Sequence, residues 1–519
     1  MSLHSSSFGI SRGASARHRL RRLGTAGIGV IVATGLVSAC APDDSAGTSS
    51  DSIVIGTSTS INPLTGLNSS YQTYQYNAFD SLVRWLADDE EAQPRIASEW
   101  TNVDPLTTDF TIRDGVKFHD GTTLTARDVA FSFNEIIAEK FVTASNLTNI
   151  ESVTALDDST VRIVTKTPEP LLLNIVAQVF IVPEAAWEAA GGADGFAANP
   201  IGSGPYEITE FDIENSVTFE AFDEFWGEAP ATETVELRYF SDSSALASAF
   251  ESGQLTVAHE LPGASLQTLK GDDRYEVTAS FSGSQNMFQF NTNKAPFDNE
   301  KVRRAANLAI DAPALIDALT YGAGTLEDGQ LPIEGVFGHT DTISRPEYNP
   351  GEARTLLKQA GAEGTPITIS GMSLYRPLLE AIGGQLAEVG FKPTIEANET
   401  AVWLQQFRSG TNADIFFRGT SYTGVFDADR PFSFISQGER PLVTDPKWTE
   451  LYQATKTEMD RDAREQKLIA ASQYLLDKNY VLYTYGRPSV GAVVAGTSGV
   501  DFGTGIMLQF DTVSTSSNS

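Results

Sequence analysis

Between Thr108 and Arg113 the apolar residues Phe110 and Ile112 alternate with polar neighbours, the two-residue period of a strand. Asp114-Gly115 can turn the chain and Val116 to Phe118 resumes the apolar run, so a β-hairpin is predicted here. The period then changes. From Thr125, Val129, Phe133, Ile136 and Ile137 recur at helical spacing, and Asp128 stands where a capping box needs its acid. Farther along, Ile367 to Ile369 reads as a strand. Pro377 opens a helix with Leu378, Ile382, Leu386 and Val389 on one face, Gly390 ends it, and Phe391 to Glu396 is strand-like again. A helix carrying Trp403, Leu404 and Phe407 follows, then a strand from Asp414 to Phe417. This β-α-β-α-β order predicts a parallel sheet covered by helices. Ligands of such sheets gather outside the strand C-termini, which makes the loop after Phe417 a cleft candidate.

The 519 residues are 41% hydrophobic and 20% charged, a mixture that fills globular cores, and the length exceeds what one core normally serves, so several lobes are expected. The net charge of −31 makes nucleic acid a poor partner and is read as a solvated, soluble surface. The first 39 residues differ from the rest: they hold five arginines and no acid, and residues 23–39 are apolar and uncharged. This is the plan of a secretory signal, too short for a comfortable membrane span. Val37-Ser38-Ala39-Cys40 ends it, and a polar stretch of about a dozen residues follows. Cys40 is the only cysteine in the chain, so it has no internal disulfide partner. The four residues resemble a bacterial lipobox, which implies a diacylglycerol-bearing Cys40, a signal at 1–39 and a tether at 40–52.

Catalytic patterns are poor. The G-x-S-x-G match at Gly9 to Gly13 lies in the leader, and beyond it the only histidines are His119, His259 and His339, none in HExxH spacing. Asp427-Ala428-Asp429 begins like a calcium loop but lacks its glycine and terminal glutamate. No enzyme activity, cofactor or metal is expected. A cell-surface hydrolase using two of the 67 acids is the alternative from another class.

Four runs carry a family likeness: Arg113 to Phe133, Asn199 to Ile208, Phe222 to Pro230 and Gln289 to Asp311. In order and spacing they resemble the family 5 solute-binding proteins of ABC importers, the oligopeptide, dipeptide and nickel receptors. Read for themselves, the runs are scaffold. His119 is a turn or surface histidine, and Gly202 to Pro205 is a bend into a strand at Tyr206 rather than a phosphate loop. Asp298 is expected to cap a helix with Val302, Ala305, Ala306 and Ala309 inward and Lys301, Arg303 and Arg304 solvated.

The resemblance implies a two-lobed periplasmic-binding-protein-like α/β fold (type II, cluster C) with an extra inserted α/β domain. The expected limits are lobe I at 53–85, 199–290 and 481–511, the inserted domain at 86–198, lobe II at 291–480 and a disordered tail at 512–519. Two crossings are expected, near Phe290-Asn291 and from Tyr480 to Gly486. It further implies a monomer, lipid-anchored at the outer face of the cell membrane, that passes a small solute to the transmembrane subunits of an ABC permease. The solute is expected to be a short peptide, with a nickel chelate or oligosaccharide as alternatives. Peptide-binding relatives anchor the ligand amine with an Asp in the loop after the strand placed at Asp414 to Phe417. This chain departs there, with Thr420, Ser421 and Tyr422 first and acids only at Asp427 and Asp429. Either acid is a candidate for the ammonium, local turn capping being the equal alternative. Trp403 and Tyr422 are candidates for an apolar pocket, with helix-to-sheet packing favoured for Trp403. Arg376 and Arg418 are candidates for a ligand carboxylate, with a solvated surface position favoured for each.

Overall fold

The computed structural model describes residues 52–59, 65–67, 74–85, 91–422, 425–500, 502 and 508–515. Cys40, the leader and most of the tether lie outside these residues. Three sheets organise the rest. The largest runs in the order Thr420–Ser421, Tyr275–Gln285, Tyr485–Val494, Val257–His259, Ser52–Thr57, Thr234–Tyr239, Ser216–Ala221, Tyr206–Asp212, with Thr325–Leu326 added beside Tyr485–Val494. Its centre is parallel: Ser52–Thr57 pairs in that sense with both Thr234–Tyr239 and Val257–His259. Ile53 and Ile55 are buried, as a central strand requires.

The chain leaves this sheet to build a four-stranded antiparallel sheet, Ala97–Asp104, Thr107–Ile112, Thr160–Thr165 and Ile150–Ala155 in spatial order, covered by the helix Ala126–Glu139. The capping box is present: Thr125 N donates to Asp128 Oδ2 at 2.9 Å. Val129, Phe133 and Ile136 are buried, whereas Ile137 is 39% exposed. The hairpin expectation is corrected. Thr107–Ile112 pairs with Ala97–Asp104 and Thr160–Thr165, not with Val116 to Phe118, because the sheet offers two longer partners.

The second lobe holds a five-stranded sheet ordered Lys392–Asn398, Pro366–Met372, Ile415–Phe417, Phe288–Phe290, Val481–Leu482, the first three parallel. The β-α-β-α-β unit is as the sequence pattern requires. The helix Arg376–Val389 buries Leu378, Ile382, Leu386 and Val389, and Gly390 closes it in the left-handed conformation at φ 116°. In the helix Glu300–Leu308 two expectations change. The cap is Asn299, whose side chain accepts from Lys301 N, not Asp298. Arg303 is buried rather than solvated: Nε donates to the Lys478 carbonyl at 2.9 Å and Nη1 to that of Phe297 at 2.8 Å, and the guanidinium lies over Tyr480. Three-residue periodicity cannot tell a solvated arginine from one that closes backbone carbonyls.

Adjacent strands of the two large sheets are joined directly at Asn286-Met287, at Tyr483-Thr484 and at Arg418-Gly419, and the chain also returns to the larger sheet for Thr325–Leu326. The first lies a few residues before the expected crossing, and the third was not foreseen. At the other end, Ser514–Thr515 pairs with Thr497–Ser498, so regular pairing extends into the stretch expected to be a tail.

Candidate functional site

The crossings are stitched together by buried polar groups. Glu327 Oε2 accepts from the Thr484 amide at 2.6 Å, and Thr484 Oγ1 donates to the Asn286 carbonyl at 3.2 Å. Burial pushes the Glu327 carboxyl up to about 8, against the pull of the Thr484 hydrogen bond and the Arg345 guanidinium. Next to it Gln285 Nε2 donates to the Leu331 carbonyl at 2.7 Å. Arg487, on the first lobe, donates through Nη1 to the hydroxyl of Tyr375 on the second and lies 5.2 Å from that ring's centre. The lobes therefore touch across the seam through a half-buried cation and a phenol.

A second feature lies where the inserted domain meets the second lobe. A cavity of about 460 Å³ is lined by Asn149, Glu169 and Gln178 on one side and Asp429, Arg430 and Lys456 on the other. A neighbouring cavity of about 130 Å³ is lined by Trp85, Asn174, Phe337, Asp427, Arg461 and Arg464. The larger volume is of the order that holds a small ligand. Asp427 sits at the start of the helix Asp429–Ile435 and is only 3% exposed. Arg464 grips it with two bonds, 2.6 and 2.9 Å, and also donates to the Thr455 carbonyl. Burial raises the Asp427 carboxyl above the usual carboxylate range despite that guanidinium. Lys456 Nζ lies against both oxygens of Asp429, 3.1 Å from Oδ2 and 3.0 Å from Oδ1.

The remaining residues singled out from sequence fall as follows. Trp403 packs between helix and sheet, its Nε1 donating to the Phe417 carbonyl at 2.8 Å and its ring stacked on Phe416. Tyr422 is fully buried, with its hydroxyl within reach of Gln285 Oε1 and the Leu331 carbonyl. Arg418 corrects the expectation of a surface position. It is 2% exposed and packs over Phe407, donating to Gln289 Oε1 at 2.7 Å and to the Gln437 carbonyl. Among the described residues no carboxylate pairs with it, and burial lowers its pKa to about 10. Arg376 is on the surface, 3.5 Å from Glu380 one helical turn on. His119 is neither free nor a ligand. Its ring bridges the bend at Gly202 to Pro205, Nε2 to the Gly204 carbonyl and Nδ1 to the Gly202 amide. That bend passes so close to Ala78 that a Cβ on Gly202 would sit 2.0 Å from its carbonyl oxygen. Tyr375, Arg487, Glu169, Lys456 and Arg464 carry no sequence motif; they are brought in by segments up to a few hundred residues apart. Among the described residues no group of three or more His, Cys, Asp or Glu is placed to hold a metal ion, and no helix is long and apolar enough to cross a membrane.

Comparison with known proteins completes the picture. A family model described as "Bacterial extracellular solute-binding proteins, family 5 Middle" matches residues 91–440. The dipeptide-binding protein of Escherichia coli (strain K12) is 27% identical over 397 residues, 70% of this chain and 74% of that one. The glutathione-binding protein GsiB of Escherichia coli O1:K1 / APEC is 30% identical over 356 residues, 66% of this chain and 68% of that one. Among solved structures, NikA from Brucella suis in complex with Fe(III)-EDTA superposes with a TM-score of 0.79 at 20% identity, over 90% of this chain and 100% of that one.

Proposed function

The chain belongs to the bacterial extracellular solute-binding proteins, family 5, transport components rather than enzymes, and we propose that it captures a short peptide and hands it intact to the membrane subunits of an ABC importer. In this reading the monomer is held at the outer face of the cell membrane by diacylglycerol on Cys40, and the polar tether lets it reach the permease. The functional units are lobe I (53–85, 199–290, 481–511), the inserted domain (86–198) and lobe II (291–480). The observation that carries the reading is the polar cavity between inserted domain and second lobe, with Glu169 on one side and Asp429, Arg430 and Lys456 on the other. Both signs of charge on one wall suit a zwitterion. Of the residues singled out from sequence, Asp429 lines this cavity paired with Lys456, an ion pair that a ligand ammonium would have to displace, and Asp427 holds Arg464. Trp403, Tyr422 and Arg418 brace the ends of Ile415–Phe417 and Thr420–Ser421, and Arg376 is a surface residue paired with Glu380. Dipeptide and glutathione receptors among the relatives point the same way. A metal chelate is the second reading, favoured by the likeness to NikA, whose structure holds Fe(III)-EDTA.

A ligand binding only the native state stabilises it by RT ln(1 + [L]/Kd), about 2.7 kcal/mol at a hundredfold excess over Kd. Thermal unfolding of the mature protein should therefore shift upward with di- to pentapeptides. A shift with nickel or iron chelates alone would replace the peptide reading by the chelate one. Melting curves that respond to neither, with nothing co-purifying by mass spectrometry, would overturn both.

A further inference from the structure

The first lobe has its own candidate for contact with a ligand, at the ends of its parallel strands. Val257–His259 and Tyr275–Gln285 both run antiparallel to Tyr485–Val494, and so run in the same direction as each other. Tyr275–Gln285 leaves the sheet at Gln285 for the second lobe. The C-terminal ends of Val257–His259 and of its parallel neighbour Ser52–Thr57 are therefore on the sheet edge that faces the second lobe, the edge where ligands of α/β sheets bind.

Glu260 stands at that edge, immediately after His259. Its backbone is in the left-handed region at φ 61°, a conformation that costs energy for a residue with a side chain and that clusters at functional positions. Its carboxylate is fixed from the neighbouring strand end: Thr59 Oγ1 donates to Oε2 at 2.5 Å and Ser58 Oγ at 3.2 Å. These are neutral donors. Among the described residues no lysine or arginine pairs with Glu260, although the acid is half-buried. His259 beside it is fully buried and stacked on Phe502, with neither ring nitrogen in a hydrogen bond, and burial keeps the ring neutral by lowering its pKa. A strained, positioned carboxylate without a counter-charge thus sits next to an imidazole with open hydrogen-bonding capacity.

We propose that Glu260, oriented by Ser58 and Thr59, is the first lobe's receptor for a cationic group of the transported solute, a peptide ammonium above all. The assignment rests on the peptide reading of function. It gives the first lobe a carboxylate that a cationic ligand would engage through a charge-assisted hydrogen bond.

The test is calorimetric titration of the mature protein and of Glu260→Gln and Glu260→Gly with trialanine, with a pool of di- to pentapeptides, and with the same peptides N-acetylated. Gln keeps an oxygen for Thr59, and Gly removes the backbone strain. Wild type is expected to bind the free-amine peptides at least tenfold more tightly than the acetylated ones. Both variants should lose affinity at least tenfold and with it the discrimination, while Glu260→Gly melts at a higher temperature than wild type. Stability gained and binding lost in one variant separates a ligand contact from a structural role. If both variants bind free-amine peptides as wild type does, this assignment is wrong and the peptide reading stands. If wild type binds no peptide, both fall.

Discussion

Glu327 offers the sharpest quantitative test of how the two lobes are joined. Its carboxyl is 1% exposed, one oxygen takes the Thr484 amide at a crossing between the lobes, and the other has no partner. Burial raises it from an ordinary 4.5 to about 8. The native state therefore keeps a proton on this group that the unfolded chain has released. The sign follows: below 4.5 both states are protonated and Glu327 adds no pH dependence, whereas stability falls as pH rises from there to about 8 and then levels off. At about 1.4 kcal/mol per pH unit the whole window is worth at most about 5 kcal/mol. Glu327→Gln keeps the acceptor for Thr484 and cannot ionise. Urea unfolding of both proteins at several values between about pH 4.5 and 8.5 should give a stability difference near zero at the acid end, growing to between about 2 and 5 kcal/mol in favour of the variant at the alkaline end. Asp328, Arg345 and the acidic surface are common to both, so their titration cancels in the difference. A difference that is constant across the range would refute a protonated Glu327 at the hinge.

Two further outcomes follow from named contacts. Asp427→Asn leaves the buried Arg464 guanidinium without its hydrogen-bonded carboxylate and should cost about 3–5 kcal/mol by denaturant unfolding, most of it recovered when Arg464→Met is added; a loss below about 1 kcal/mol would show that the pair is not buried as described. Burial lowers the His119 pKa from 6.5 to about 4, so its imidazole should stay neutral in an NMR titration down to about pH 5. Through this group stability should fall as pH drops from 6.5 toward 4, a dependence absent in His119→Ala; a His119 that titrates near 6.5 would contradict the burial that lowers its pKa.

The local grammar of the chain was legible wherever a neighbour in sequence decides the outcome. Thr125 and Asp128 cap each other within one turn, Gly390 ends its helix for want of a Cβ, and the alternation of strands and helices from Ile367 to Phe417 admits little besides a parallel sheet. Family membership was legible for the same reason, since the runs from Arg113 to Asp311 are contiguous text. Partner choice was not. The segment at Thr107–Ile112 reads as half a hairpin and finds its partners elsewhere, because pairing is settled by which strands the fold brings alongside.

Charge was the least legible property of all. Arg303 and Arg418 look in sequence like any solvated arginine, yet each is buried against carbonyls or amides and aromatic rings. Asp427 was visible as an acid in a promising loop, but Arg464, which holds it, lies 37 positions away. Glu260 carried no signal whatever, because its interest comes from a backbone angle and from hydroxyls some two hundred residues upstream. Hydrophobic period and turn chemistry act between residues a few bonds apart, so the amino-acid order alone fixed the elements and the family. Burial and counter-charge depend on what the fold sets beside a side chain, and for that reason only the tertiary structure decided which of 67 acids and 36 bases matter.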